Sequence, residues 1–80
     1  MDKAEAERIA KAIRRVPAEW IEAHVIELNP ITNTYEIICA YKQRSMRRQQ
    51  AWTEVRITSP RQWIALLTQR AHDVGGLELP

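Results

Sequence analysis

Thr34-Tyr35-Glu36-Ile37-Ile38-Cys39-Ala40-Tyr41-Lys42 is the stretch on which the fold turns. Its odd-numbered residues, Tyr35, Ile37, Cys39 and Tyr41, recur with a period of two, the spacing that lines one face of a β-strand. The segment from Ala51 to Thr58 repeats the pattern with Thr53, Val55 and Ile57. Upstream, Ile21, Ala23 and Val25 alternate with Glu22, His24 and Ile26, which predicts a strand from Trp20. The turn-rich Asn29-Pro30-Ile31-Thr32-Asn33 follows it as a hairpin loop would. Residues 17–23 also admit a helix opening at Pro17, because Pro suits a first helical turn and Glu and Ala are good helix formers. Val25, Ile26 and the loop after them favour the strand.

The three strands fit together as an antiparallel meander. Ile21, Ala23 and Val25 set against Tyr41, Cys39 and Ile37, and those against Thr53, Val55 and Ile57, give one apolar face without a register conflict. Glu22, His24, Glu36, Ile38, Trp52, Glu54 and Arg56 then share the other face, predicted to be mostly solvated. Trp20 also falls there.

A helix is predicted on each side of the meander. From Asp2 to Val16, the residues Ala6, Ile9, Ile13 and Val16 recur at helical spacing. Asp2 and Glu5 form a capping-box pattern, and Pro17 disfavours helical geometry just before it. At the other end, Ser59-Pro60-Arg61-Gln62 combines a cap, Pro at the first position and Gln at the return position. Trp63, Ile64, Leu67, Ala71 and Val74 form the apolar stripe that follows, and Gly75-Gly76 supplies a left-handed stop. The expected architecture is α+β, αβββα, with both helices packed on one sheet face. Its core is Ile9, Ile13, Val25, Ile37, Cys39, Val55, Ile57, Trp63 and Leu67. Eighty residues suit one small domain, residues 1–76, with 77–80 as a short tail.

Composition narrows the function classes. Apolar runs such as Trp63-Ile64-Ala65-Leu66-Leu67 fall far short of the roughly 20 residues needed to cross a bilayer. The start, Met1-Asp2-Lys3-Ala4-Glu5, lacks the basic and apolar regions of a secretory signal. A lone cysteine, Cys39, excludes an internal disulfide and fits a reducing cytoplasm. Neither it nor His24 and His72 show ligand spacing, so no metal or cofactor is expected. No catalytic constellation stands out either, and the register above directs Cys39 and His24 to opposite sheet faces.

Charge supplies the one functional lead. The net charge is +2, yet Lys42, Arg44, Arg47 and Arg48 crowd into seven residues, and no acid occurs between Glu36 and Glu54. Taking those four charges from +2 leaves −2, so a mildly acidic body carries a basic segment. If the strands extend into Lys42-Gln43-Arg44-Ser45-Met46-Arg47-Arg48-Gln49-Gln50, it becomes a hairpin arm. Arginine forks on such an arm grip phosphates, and Trp52 at its base offers a face on which an unpaired base stacks. Arg56 and Arg61, the latter in the first turn of the last helix, extend the basic surface. The expectation is a non-enzymatic binding domain that contacts DNA or RNA through Lys42, Arg44, Arg47, Arg48, Trp52 and Arg61. The alternative is an accessory or inhibitory protein, a homodimer among its forms, that docks on an acidic protein through the same arm and Trp52. The bland reading is a solvated loop whose cations keep the sheet edge unpaired.

The order helix, three-stranded meander, helix is similar in topology to the double-stranded-RNA-binding domain, whose helices both cover one sheet face. Ser59-Pro60-Arg61-Gln62 stands where that family has a lysine-rich helix start, so the likeness is one of topology and carries over no residue.

Overall fold

The computed structural model describes residues 1–44 and 50–75. Asp2 caps the first helix, α1 (Lys3–Ile13), by accepting from the Glu5 amide at 2.8 Å, and the Glu5 carboxylate accepts from the Asp2 amide. The capping box predicted from sequence is therefore present. The helix ends at Ile13, earlier than the predicted Val16. Arg15 and Val16 donate three residues back, to Ala12 and Ile13, and so tighten the exit into a turn ahead of Pro17.

Three strands follow, β1 (Ala23–Asn29), β2 (Thr34–Arg44) and β3 (Gln50–Ile57), in the antiparallel order β1-β2-β3. A second helix, α2 (Pro60–Arg70), closes the described chain and runs on into a π-helical turn, Ala71–Gly75. Ser59 caps α2 through the Gln62 amide, and Gln62 Oε1 returns to the Thr58 amide at 2.6 Å. The predicted stop at Gly75-Gly76 does not take that form: Gly75 lies inside the π turn, without positive φ, and Gly76 is outside the described residues.

Both helices cover the same sheet face. Ile37, Cys39 and Tyr41 of β2 and Ile57 of β3 are buried against Ala6, Ile9 and Ile13 of α1 and Trp63 and Leu66 of α2. Ile37 and Ile57 are fully buried, each worth about 1.5–3 kcal/mol relative to an exposed side chain. The αβββα architecture thus holds, and so does the predicted β2–β3 register: Ile37 faces Ile57, Cys39 faces Val55 and Tyr41 faces Thr53.

The first strand departs from expectation by one residue. Residues 17–20 form a turn, closed by the Trp20 amide on the Pro17 carbonyl at 2.9 Å, and pairing starts at Ala23 opposite Ala40. Glu22 also bonds to Ala40, its amide donating to that carbonyl at 2.9 Å. Two residues therefore meet one, and the extra residue flips the faces beyond it. Ile21 stays buried, as predicted. Val25, predicted in the core, stands 53% exposed on the opposite face, and His24 and Ile26 turn inward in its place. Trp20, predicted on the outer face, is partly buried against the core. In α2, Ile64 is exposed and Leu66 takes its place in the core, because the helix buries the line Trp63, Leu66, Arg70.

Candidate nucleic-acid interface

The basic segment begins where the sheet narrows. The last β1 pair is Ala23 with Ala40, whereas β2 and β3 continue through Lys42–Trp52, Gln43–Ala51 and Arg44–Gln50. The strands do extend into the segment, and beyond Ala40 the sheet becomes a two-stranded ribbon. Lys42 would have lost its main-chain partner there, but Glu22 Oε2 accepts from its amide at 2.7 Å. On the other ribbon face, Thr53 Oγ1 donates to Gln43 Oε1 at 3.2 Å.

Lys42 and Trp52 are register partners on the open sheet face. The Lys42 ammonium lies 5.3 Å from the centre of the Trp52 ring, within cation–π range, and the indole is 59% exposed. Arg44 is the last residue of β2 and pairs with Gln50, so its backbone lies on the same ribbon. Arg47 and Arg48 lie outside the described residues. Arg61 is exposed in the first turn of α2, beyond the far end of β3. Five strand steps separate Trp52 from Ile57, about 17 Å at the strand rise. Arg61 is therefore remote from Lys42 and Trp52.

The rest of the open face is not basic. Arg56 Nη1 lies 2.6 Å from Glu36 Oε1 and 3.6 Å from Glu27 Oε1, so its charge is spent within the sheet. Glu36 was expected to be solvated but is only 6% exposed, held by Arg56 and by Asn29 Nδ2 at 3.2 Å. The Arg56 hydrogen bond, then that of Asn29, draws its carboxyl below the ordinary range. With Glu27 and Glu54 exposed on it as well, the face turns acidic beyond the ribbon.

His24 and Cys39 are direct register partners and share the helix-covered face, contrary to the expectation that the sheet keeps them apart. The cause is the one-residue flip of β1. Their chemistry runs toward two neutral groups. Burial pushes the Cys39 thiol up to about 11, and burial, then the charge of Arg14, draws His24 below its ordinary value. Nucleophilic pairs of this kind depend on the opposite shifts, a lowered thiol beside a protonated imidazole.

Two residues with structural work went unnoticed in the sequence. Arg70 is 3% exposed: its Nε donates to the Trp20 carbonyl at 2.8 Å, its Nη2 to the Glu19 carbonyl at 3.4 Å, and its guanidinium stacks 4.0 Å from the Tyr41 ring. The signal was its place on the apolar stripe, four residues after Leu66. Glu22, read as a solvated residue, closes the corner where β1 begins.

Among the described residues no group of three or more metal-binding side chains occurs, and no helix is long and apolar enough to cross a membrane. Compared with known protein families, curated proteins and solved structures, the chain matches none.

Proposed function

We propose that this chain is a non-enzymatic binding domain that contacts nucleic acid through the β2–β3 arm, in a reducing, cytoplasmic setting. The observation that carries the reading is the continuation of β2–β3 pairing to Arg44 and Gln50, past the end of β1. A two-stranded ribbon of this kind is slender enough to enter a major groove. Lys42 and Arg44 lie on it, Arg47 and Arg48 lie in the segment that joins its strands, and Trp52 stands exposed at its base. The glutamates of the open face repel phosphate, which directs contact to the arm and away from the sheet centre. Arg61, remote from the arm, is at most a second point of contact.

One observation favours the alternative of protein docking. The Trp52 ring already holds the Lys42 ammonium, which competes with a stacking base, and an indole beside cations is a common anchor in protein interfaces.

Binding of the purified chain to labelled duplex DNA, duplex RNA and single strands across a salt series tests the proposal. Each neutralised phosphate of a duplex contributes about −0.9 to the slope of log K against log salt. Replacing Arg44, Arg47 and Arg48 with Ala should flatten that slope by roughly 2.7 if each grips one phosphate. The variant should unfold at the temperature of the parent, since charges of this kind add little to stability. Absence of binding at low salt removes the nucleic-acid reading and turns the search to acidic protein partners.

A further inference from the structure

In the order β1-β2-β3, β1 has no neighbour on its outer side among the described residues. The hydrogen bonds of Met1 reveal which backbone groups that leaves. Met1 accepts from the Tyr35 amide at 2.7 Å and donates to the Tyr35 carbonyl at 3.1 Å. Tyr35 and Leu28 are register partners, so these bonds mean that Tyr35 turns its main-chain groups away from β1. In an antiparallel pair, bonded and non-bonded positions alternate. The bonded positions of β1 are therefore the odd-numbered ones, and His24, Ile26 and Leu28 aim their N–H and C=O groups off the sheet. No described backbone bond outside the ladders reaches those three residues.

Proteins guard such an edge with Lys, Pro or a covering element. Between Ala23 and Asn29 there is no Lys, Arg or Pro. Apolar side chains are exposed on both faces of the strand, Val25 at 53% on the open face and Leu28 at 45% on the helix face. These are the flanks that an adjacent strand covers.

We propose that the strand on this edge is β1 of a second copy of the chain, antiparallel and related by a two-fold axis at Ile26. In that register His24 exchanges both bonds with Leu28 of the other copy, Ile26 with its equivalent and Leu28 with His24. Every outward group of β1 is then satisfied by its own counterpart. Val25 faces Glu27 of the second copy, and Leu28 faces His24. Neighbouring registers are worse: centring on Glu27 sets two glutamates opposite each other, and centring on Val25 runs Leu28 past the end of the partner strand. The edge is thus complementary to itself, as an isologous contact requires. A domain of 80 residues also gains from burying further surface by association. The product is a six-stranded sheet with the two arms on its outer sides. This inference stands apart from the nucleic-acid reading, because β1 ends before the arm begins.

Sedimentation of the full chain from micromolar to millimolar concentration tests it, with amide hydrogen exchange measured by NMR at both ends of the range. The mass should rise with concentration toward twice the 9.3 kDa of one chain. The His24, Ile26 and Leu28 amides should become protected as it does, and lose that protection on dilution. Leu28→Pro removes an outward donor while leaving the β1–β2 ladder intact, and should hold the protein at the mass of one chain. Val25→Glu, which changes no main-chain group and sets like charges opposite each other against Glu27 of the second copy, should do the same and carries the test if the proline variant fails to fold. A wild-type mass that stays at one chain throughout would overturn the proposal. So would a dimer in which these three amides exchange rapidly, since its interface then lies elsewhere.

Discussion

A buried arginine is costly unless it is paired and hydrogen-bonded, and Arg70 places Nε and Nη2 on carbonyls that precede it by some fifty residues in the chain. It ties the turn before β1 to the end of α2, with Tyr41 beneath and Asp73 at 3.8 Å beside it. Arg70→Ala strands the Trp20 and Glu19 carbonyls and opens a void over Tyr41, so urea unfolding should register a loss of about 3 kcal/mol. Arg70→Lys keeps the charge without the fork and should recover less than half of it. A change within about 0.5 kcal/mol of the parent, the range of ordinary surface substitutions, would show the residue to be dispensable. Glu36 makes a prediction in pH. Its carboxyl is lowered in the folded protein by Arg56 and then Asn29, so the unfolded chain takes up the proton first as pH falls. The stability that this contact contributes is complete above the ordinary value of 4.5 and is lost as pH falls through the lower folded-state value. Glu36→Gln has no proton to take up, and its urea midpoint should decline less across that acid window than that of the parent. Equal declines would mean that other carboxylates govern the acid limb.

At the level of elements, alternation was enough to read β2 and β3, because both strands carry their apolar residues in unbroken odd-numbered order and the core pairs them as read. The caps of both helices were legible for a similar reason: the Asp2–Glu5 and Ser59–Gln62 patterns act over three residues and need no tertiary information. The face of β1 was not legible. Ile21 continues the alternation of Ala23 and Val25 in the sequence, yet the extra residue at Glu22–Ala23 is set by where Ala40 and Lys42 need partners, and that is a tertiary condition. The arm was legible as a concentration of charge, whereas the remoteness of Arg61 depends on the length and direction of β3. The hairpin between β1 and β2 shows local chemistry acting again. Asn29 Oδ1 accepts from the Ile31 and Thr32 amides, and Asn33 takes a left-handed conformation at φ 56°. Asn tolerates that region and a β-branched residue does not. Asn33→Val should therefore cost about 1–2 kcal/mol, while Asn33→Gly stays within a few tenths of the parent. Thermal unfolding of the pair would decide this, and equal losses in both would point to the Asn33 side chain in place of its backbone.

Across the whole molecule, secondary structure and packing do not coincide. The buried cluster gathers around Ile37, Cys39, Tyr41 and Ile57, while the β2–β3 ribbon runs on past Tyr41 with two strands only. The principal extents, 41 × 25 × 17 Å, describe an elongated body. A two-stranded ribbon is marginal by itself in water, and its hydrogen bonds stand on local pairing without a covering layer. Stability should therefore fall along a single pair of strands. The Ile37, Cys39 and Ile57 amides should exchange only when the whole domain unfolds, and those of Gln43 and Ala51 through local opening at a much smaller free energy. This gradient is what the proposed function asks of the protein: a core rigid enough to fix the base of the arm at Lys42 and Trp52, and an arm free to adjust to a groove. Native-state hydrogen exchange followed through a denaturant series would test it. The amides of Ile37 and Gln43 lie six residues apart on one strand, yet the first should follow the global unfolding slope and the second should be nearly independent of denaturant. If both follow the global slope, the ribbon is as stable as the core, and a nucleic acid would have to fit the arm as it stands.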